Sequence, residues 1–202
     1  MARQDTEEEV ILDLIRKQGA IRPRDLNDHG LSRQALRRLH EKGLLDRPSR
    51  GLYVLADADF TEHHSLAEAA KLVPGGVVCL LSALRFHGLT TQEPFEVWIA
   101  ISRKGWKPRV SYPPLRIVQF SQLALDFGVE SHSIEEVTVR IYTAAKTVAD
   151  CFKYRNKIGI DVAIEALQDC IASRKATMDQ LWEAAKVCRM SKVMRPYMEA
   201  VA

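Results

Sequence analysis

Little in this chain of 202 residues is arranged for covalent or metal cross-linking. Its four cysteines, Cys79, Cys151, Cys170 and Cys188, are scattered, with no C-x-x-C pair. Three of them stand in apolar helical contexts, so they read as reduced core residues rather than disulfide partners or metal ligands. Glycine and proline are sparse (10 and 8 residues) and no stretch is of low complexity, which excludes a disordered chain. Long hydrophobic runs are missing too. The longest, residues 77–84, is far too short to span a bilayer, so no membrane partner is expected. The opening Met-Ala-Arg-Gln-Asp has no apolar segment of the secretory kind, and a cytoplasmic location is expected. No P-loop, kinase-like H-R-D or G-x-S-x-G elbow occurs, and the strand-like Glu96-Val97-Trp98 is not the E-x-K of a nuclease. Catalysis is therefore not expected, and no cofactor is implied.

What the chain does have is a hydrophobic fraction of 47% with 27% charged residues, enough to bury a core. The net charge of +3 is small, but its distribution is uneven. From residue 20 to 50 there are eight basic residues against four acidic, and seven of the eight are arginine. From residue 56 to 142 the balance reverses, eight basic against ten acidic. Arginine suits phosphate and guanine because its planar fork bonds bidentately.

The same basic stretch carries an ordered series of local signals. Thr6-Glu7-Glu8-Glu9 fits a capping box, followed by Val10, Ile11, Leu14 and Ile15 at helical spacing and a stop at Gly19. Ile21 reads as a buried anchor, and Pro23 opens a second, short helix that ends at His29-Gly30. Ser32 is the N-cap of a third helix, with Leu31, Ala35, Leu36 and Leu39 on one side and a basic face on the other; Gly43 closes it. Residues 44–55 place apolar strands on either side of a Pro-Ser-Arg-Gly turn, which predicts a β-hairpin. Helix, turn, basic helix and hairpin in this order predict a winged helix-turn-helix over residues 1–57 that binds double-stranded DNA. A helix of this kind enters the major groove by its N-terminal part. Ser32, Arg33, Gln34, Arg37 and Arg38 are accordingly the candidate groove residues, with Arg47 and Arg50 on the wing and Arg24 on the backbone.

Past a linker-like residue 57–62 segment, helices are predicted over 63–72 and 78–86, and strands over 95–101, 115–120 and 137–142. Helices over 143–154, 160–172 and 178–188, and a last one from Ser191, complete an α+β domain over residues 58–202. Several side chains here invite chemical readings with plainer alternatives. Ser82 is expected to bond the backbone of its own helix, and His63-His64 to form an exposed helix start without a third metal ligand in register. Trp98, Trp106 and Trp182 read as core and loop packing rather than a base-stacking platform. Lys146, Asp150, Lys153, Arg155 and Lys157 gather around one helix end. They are either a surface that meets a partner or an ordinary salt-bridged helix with a basic C-terminus.

With the hairpin motif Arg50-Gly51-Leu52-Tyr53, residues 79–90, Glu96-Val97-Trp98-Ile99-Ala100, and above all the run from Tyr142 to Leu167, the chain resembles the AbiEi family of antitoxins. The resemblance implies an antitoxin of a type IV toxin-antitoxin (abortive infection) pair. Such a protein represses its own operon by binding inverted repeats in promoter DNA and counteracts a nucleotidyltransferase-like toxin encoded beside it. The charged segment from Lys146 to Lys157 then becomes the expected toxin-antagonism surface. A winged-helix regulator that senses a small ligand through its C-terminal domain is the alternative.

Overall fold

The computed structural model describes residues 2–18, 21–23, 25–49, 52–56, 63–105 and 113–201. The 57–62 segment, Arg24 and Arg50, and Trp106 lie outside these. The chain divides into two compact units, Met1–Phe60 and Thr61–Ala202.

In the first unit, helix α1 (Ala2–Gln18) begins four residues before the expected capping box, so Thr6 lies inside the helix rather than at its start. Its buried stripe is Ile11 and Ile15, both fully enclosed, while Val10 is 42% exposed. A 3-10 turn, Asp25–His29, stands where a short α-helix was expected. Helix α2 (Arg33–Glu41) follows, capped by Ser32, whose side chain accepts a bond from the Gln34 N–H. Its other end is a Schellman motif. Gly43 takes φ +70° while its N–H and that of Leu44 return to the carbonyls of His40 and Leu39. Strands β1 (Leu45–Ser49) and β2 (Leu52–Leu55) pair antiparallel. Ile21 joins β2 through an isolated antiparallel bridge, exchanging two 2.9 Å backbone bonds with Tyr53. Ile11, Ile15, Ile21, Leu26, Leu36, Leu39 and Leu45 form one core.

The second unit is a five-stranded mixed sheet between helices, with strand order β5-β4-β3-β7-β6. The strands are β3 (Val77–Val78), β4 (Val97–Ser102), β5 (Leu115–Phe120), β6 (Val129–Ile134) and β7 (Val137–Tyr142). β3 runs parallel to β7 and antiparallel to β4, β5 is parallel to β4, and β6–β7 is a hairpin. Helix α3 (His64–Leu72) covers one face through Leu66, Ala67 and Ala69 against Val78, Ile99, Val139 and Ile141. The other face carries α4 (Leu80–Phe86), α6 (Ala144–Lys153), α8 (Ile160–Ala172), α9 (Met178–Cys188) and α10 (Ser191–Val201), joined by the short helices α5 (Gln122–Asp126) and α7 (Arg155–Ile158). At the centre, α6 is buried at every residue from Ala144 to Phe152. β3 and β6 were not expected from the sequence. β3 takes Val77 together with Val78, the first residue of the expected helix over 78–86, and polar Glu-Ser-His-Ser fills most of β6.

No helix among the described residues is long and apolar enough to cross a membrane. The four cysteines are free and buried.

Candidate nucleic-acid interface

Helix α2 is anchored by Ala35, Leu36 and Leu39, all at most 1% exposed, so the side of the helix opposite them faces outward. Arg33, Gln34 and Arg37 do so, with Arg37 81% exposed at its side chain and paired to Glu41 at 2.9 Å, one turn on. That pair is surface-exposed and therefore weak, so Arg37 gives up little by taking another partner. The first turn of α2 has no acidic residue and carries Arg33, an arrangement that the helix dipole disfavours. A basic N-terminal turn therefore adds nothing to the stability of the helix.

Arg38 behaves differently. It is 34% exposed and turned back onto α1, its Nε 3.2 Å from Glu8 Oε1 and its Nη2 3.6 Å from Glu7 Oε2. Glu8 also receives Lys42 Nζ at 2.5 Å, and Glu7 accepts the Ser32 N–H. The two carboxylates thus clamp both ends of α2 to α1. The Lys42 hydrogen bond first, then Arg38, hold the Glu8 carboxyl below its ordinary value. The sequence marks Glu7 and Glu8 only as helix-start residues; their pairing with a helix some thirty positions away leaves no mark in the local pattern. On the hairpin, exposed Arg47 sits over the Tyr53 ring at 5.8 Å.

The charged segment of the second unit is split by burial. Lys146 and Asp150, expected at a surface, are each 0% exposed and paired with one another inside the core, so they belong to no docking surface. The Lys146 ammonium also lies 4.1 Å from the Tyr142 ring centroid and 4.8 Å from that of Phe120, and Cys188 Sγ donates to Asp150 Oδ1 across 3.2 Å. Burial pushes the Asp150 carboxyl up, against the pull of Lys146. Lys153 and Lys157 are exposed, while Arg155 is half-buried and donates to the Phe152 carbonyl at 2.9 Å, closing α6.

Two further expectations change. Ser82 Oγ bonds strand backbone instead of its own helix, accepting the Trp98 N–H at 2.9 Å and donating to the Glu96 carbonyl at 3.4 Å. His63 and His64 are not an exposed start. His63 packs on Phe86 with centroids 4.9 Å apart, and His64 Nδ1 lies 2.6 Å from Glu135. No group of His, Cys, Asp or Glu placed to hold a metal ion occurs among the described residues.

Residues 9–56, from the middle of α1 to the end of the hairpin, match the family model described as "Transcriptional regulator, AbiEi antitoxin". No curated protein matches the chain.

Proposed function

With an AbiEi-antitoxin regulator domain at the N-terminus as the premise, we propose that the protein is the antitoxin of a toxin-antitoxin pair and represses its own operon. The N-terminal unit acts as a winged helix-turn-helix. Helix α2 lies in the major groove of promoter DNA, the β1–β2 hairpin is the wing, and a palindromic operator is read by two copies. The observation that carries this reading is the outward row Arg33, Gln34 and Arg37 on a helix whose other side is wholly buried. Arg37 and Arg33 are suited to guanine and Gln34 to adenine. Arg47 and Arg50 take phosphates beside the wing, and Arg24 the backbone near the 3-10 turn. Ser32 holds the amino end of the helix in place, and Arg38 braces it from behind.

The second unit counteracts a nucleotidyltransferase-like toxin. With Lys146 and Asp150 in the core, the segment offers Lys153 and Lys157 to a partner, positioned by the turn that Arg155 closes.

Gel shifts with the protein's own promoter fragment test the first part. Arginine-to-phosphate contacts predict that the logarithm of affinity falls linearly with the logarithm of salt, by about 0.9 per neutralised phosphate. Replacing Arg33 and Arg37 together by alanine should weaken binding and relax sequence preference, while replacing Arg47 should reduce that slope. Unchanged affinity and sequence preference in the double variant would sink the α2 assignment.

A further inference from the structure

A groove of about 280 Å³ runs between the edge strand β5 and the turn from α6 into α7. Trp98 and Tyr154 bring aromatic rings to it, and Arg116 and Lys157 cations; Ile117, Val118 and Gln119 complete the lining. The strand register explains the arrangement. Trp98 on β4 is paired with Arg116 on β5, so both point to the helical face at the rim of the sheet. On the opposite wall, Tyr154 is the outer member of a stack that continues through Phe120 to Tyr142, with centroid spacings of 5.7 and 5.9 Å and rings within 14° of parallel. The buried Lys146 ammonium lies beside the two inner rings, 4.1 Å from the Tyr142 centroid and 4.8 Å from that of Phe120, and Phe120 backs Tyr154 from within.

Each ring at the groove has a cation at its face: the Arg116 guanidinium 5.4 Å from Trp98, and the Lys157 ammonium 5.7 Å from Tyr154. Both cations are solvent-accessible; the Arg116 side chain is 55% exposed, with one carboxylate, Glu96, at 3.6 Å. Among the described residues, no carboxylate lines the groove itself. A pocket with two cations and no acid selects an anion, and the paired rings select an anion with a flat aromatic part. The volume is at the lower end of small-molecule sites, about 300 Å³, so one nucleotide fits and a folded nucleic acid does not.

We infer that this groove binds a single nucleotide, its base stacked against Tyr154 and its phosphate held between Arg116 and Lys157. The base takes the place of the Lys157 ammonium on the ring, and the flexible lysine turns to the phosphate. The nucleotide is either free or one residue of a single RNA strand. The site is independent of operator binding; it shares Lys157 with the surface offered to a toxin-side partner, whereas Arg116 and Tyr154 belong to it alone, so nucleotide binding that depends on Arg116 distinguishes the two.

Calorimetric titration of the full chain tests it, with AMP, GMP, CMP and UMP as ligands, and adenosine, inorganic phosphate and a short single-stranded RNA as further arms. At least one nucleoside monophosphate should bind saturably, about ten-fold or more tighter than adenosine or phosphate alone. Arg116→Gln and Lys157→Gln, both at exposed positions, should each weaken it several-fold with circular dichroism unchanged. Tyr154→Leu should remove the preference for the nucleotide over phosphate; if that variant unfolds, the two exposed substitutions carry the test. Tighter binding of the RNA, lost in the same variants, assigns the ligand to a strand. No saturable binding by any nucleotide or RNA, equal binding of inorganic phosphate, or affinity indifferent to Arg116 and Lys157 overturns the site.

Discussion

The guanidinium of Arg38 turns away from the outer face of α2 and donates from Nε to Glu8 of α1 across 3.2 Å. Arg37, its neighbour in sequence, points to solvent. Two adjacent arginines on one basic helix thus have different work, and substitutions should separate them. Arg37→Ala should cost operator binding on the order of 1–3 kcal/mol and leave the melting temperature nearly unchanged. Arg38→Ala should lower the melting temperature, because Glu8 loses a partner while 11% exposed at its side chain. Glu8→Gln should lower it in the same way, and the two losses should not add. Additive losses, or an Arg38→Ala protein as stable as its parent, would show that the clamp does not hold the helix.

How much of this could be read beforehand depends on whether the deciding contacts were local. Helix α2 was legible because its N-cap Ser32, its apolar spacing and Gly43 are all within twelve residues and agree. The helices from Ile160 to Ala172 and from Met178 to Cys188 were legible for the same reason. β3 was not, since a two-residue strand exists only through the neighbours that pair with it from residues 99–100 and 141. β6 is an edge strand with polar residues at its centre, and its place comes from β7. Lys146 and Asp150 were misread because an i, i+4 ion pair has the same spacing on a solvated helix as in a core. The clue lay in the Ala, Val, Cys and Phe that surround them on every side of α6. The Glu7–Glu8 clamp joins residues distant in sequence and left no local trace.

The buried Lys146–Asp150 pair yields a sharp stability test. Taking two charges out of water is costly, and their mutual attraction together with the Cys188 bond and the Tyr142 ring offsets that cost. Removing one partner strands the other. Lys146→Met or Asp150→Leu alone should therefore destabilise the second unit by roughly 3–5 kcal/mol, whereas the double substitution should cost much less than the sum. Urea denaturation of the four proteins measures it. A double variant as unstable as the two singles combined would mean that the charges do not compensate each other.

His87 gives the fold a dependence on pH. Its Nε2 donates to the Tyr142 carbonyl at 2.7 Å from a largely enclosed position at the end of α4. Burial lowers its pKa from the ordinary 6.5, more than the carbonyl bond raises it. Between the lowered value and 6.5 the unfolded chain binds more protons than the folded one. The stability linked to this group is therefore complete above 6.5 and drains away as the pH falls through the window. His87→Gln keeps a donor for the carbonyl without titrating. Its melting temperature relative to the parent should rise as the pH is lowered from about 8 to about 5. A constant difference across that range would remove His87 as the source.

The two units should also be separable in function. Each has its own hydrophobic core, built around Ile11, Leu36 and Leu39 in one and around α6 in the other. A fragment spanning residues 61–202 should therefore fold alone, with a cooperative melting transition and the helix content of α3 to α10. If the division of labour is as proposed, expressing that fragment with the toxin should restore growth, while gel shifts show no retention of promoter DNA. A fragment of residues 1–60 should do the reverse, although its small core makes it the less stable of the two. Rescue by the N-terminal fragment alone would place toxin antagonism on the DNA-binding unit, and repression of the toxin's transcription would then be the whole of the antitoxin effect. To tell that outcome from direct antagonism, the toxin is expressed from an unrelated promoter, so that only a fragment acting on the toxin or its target restores growth.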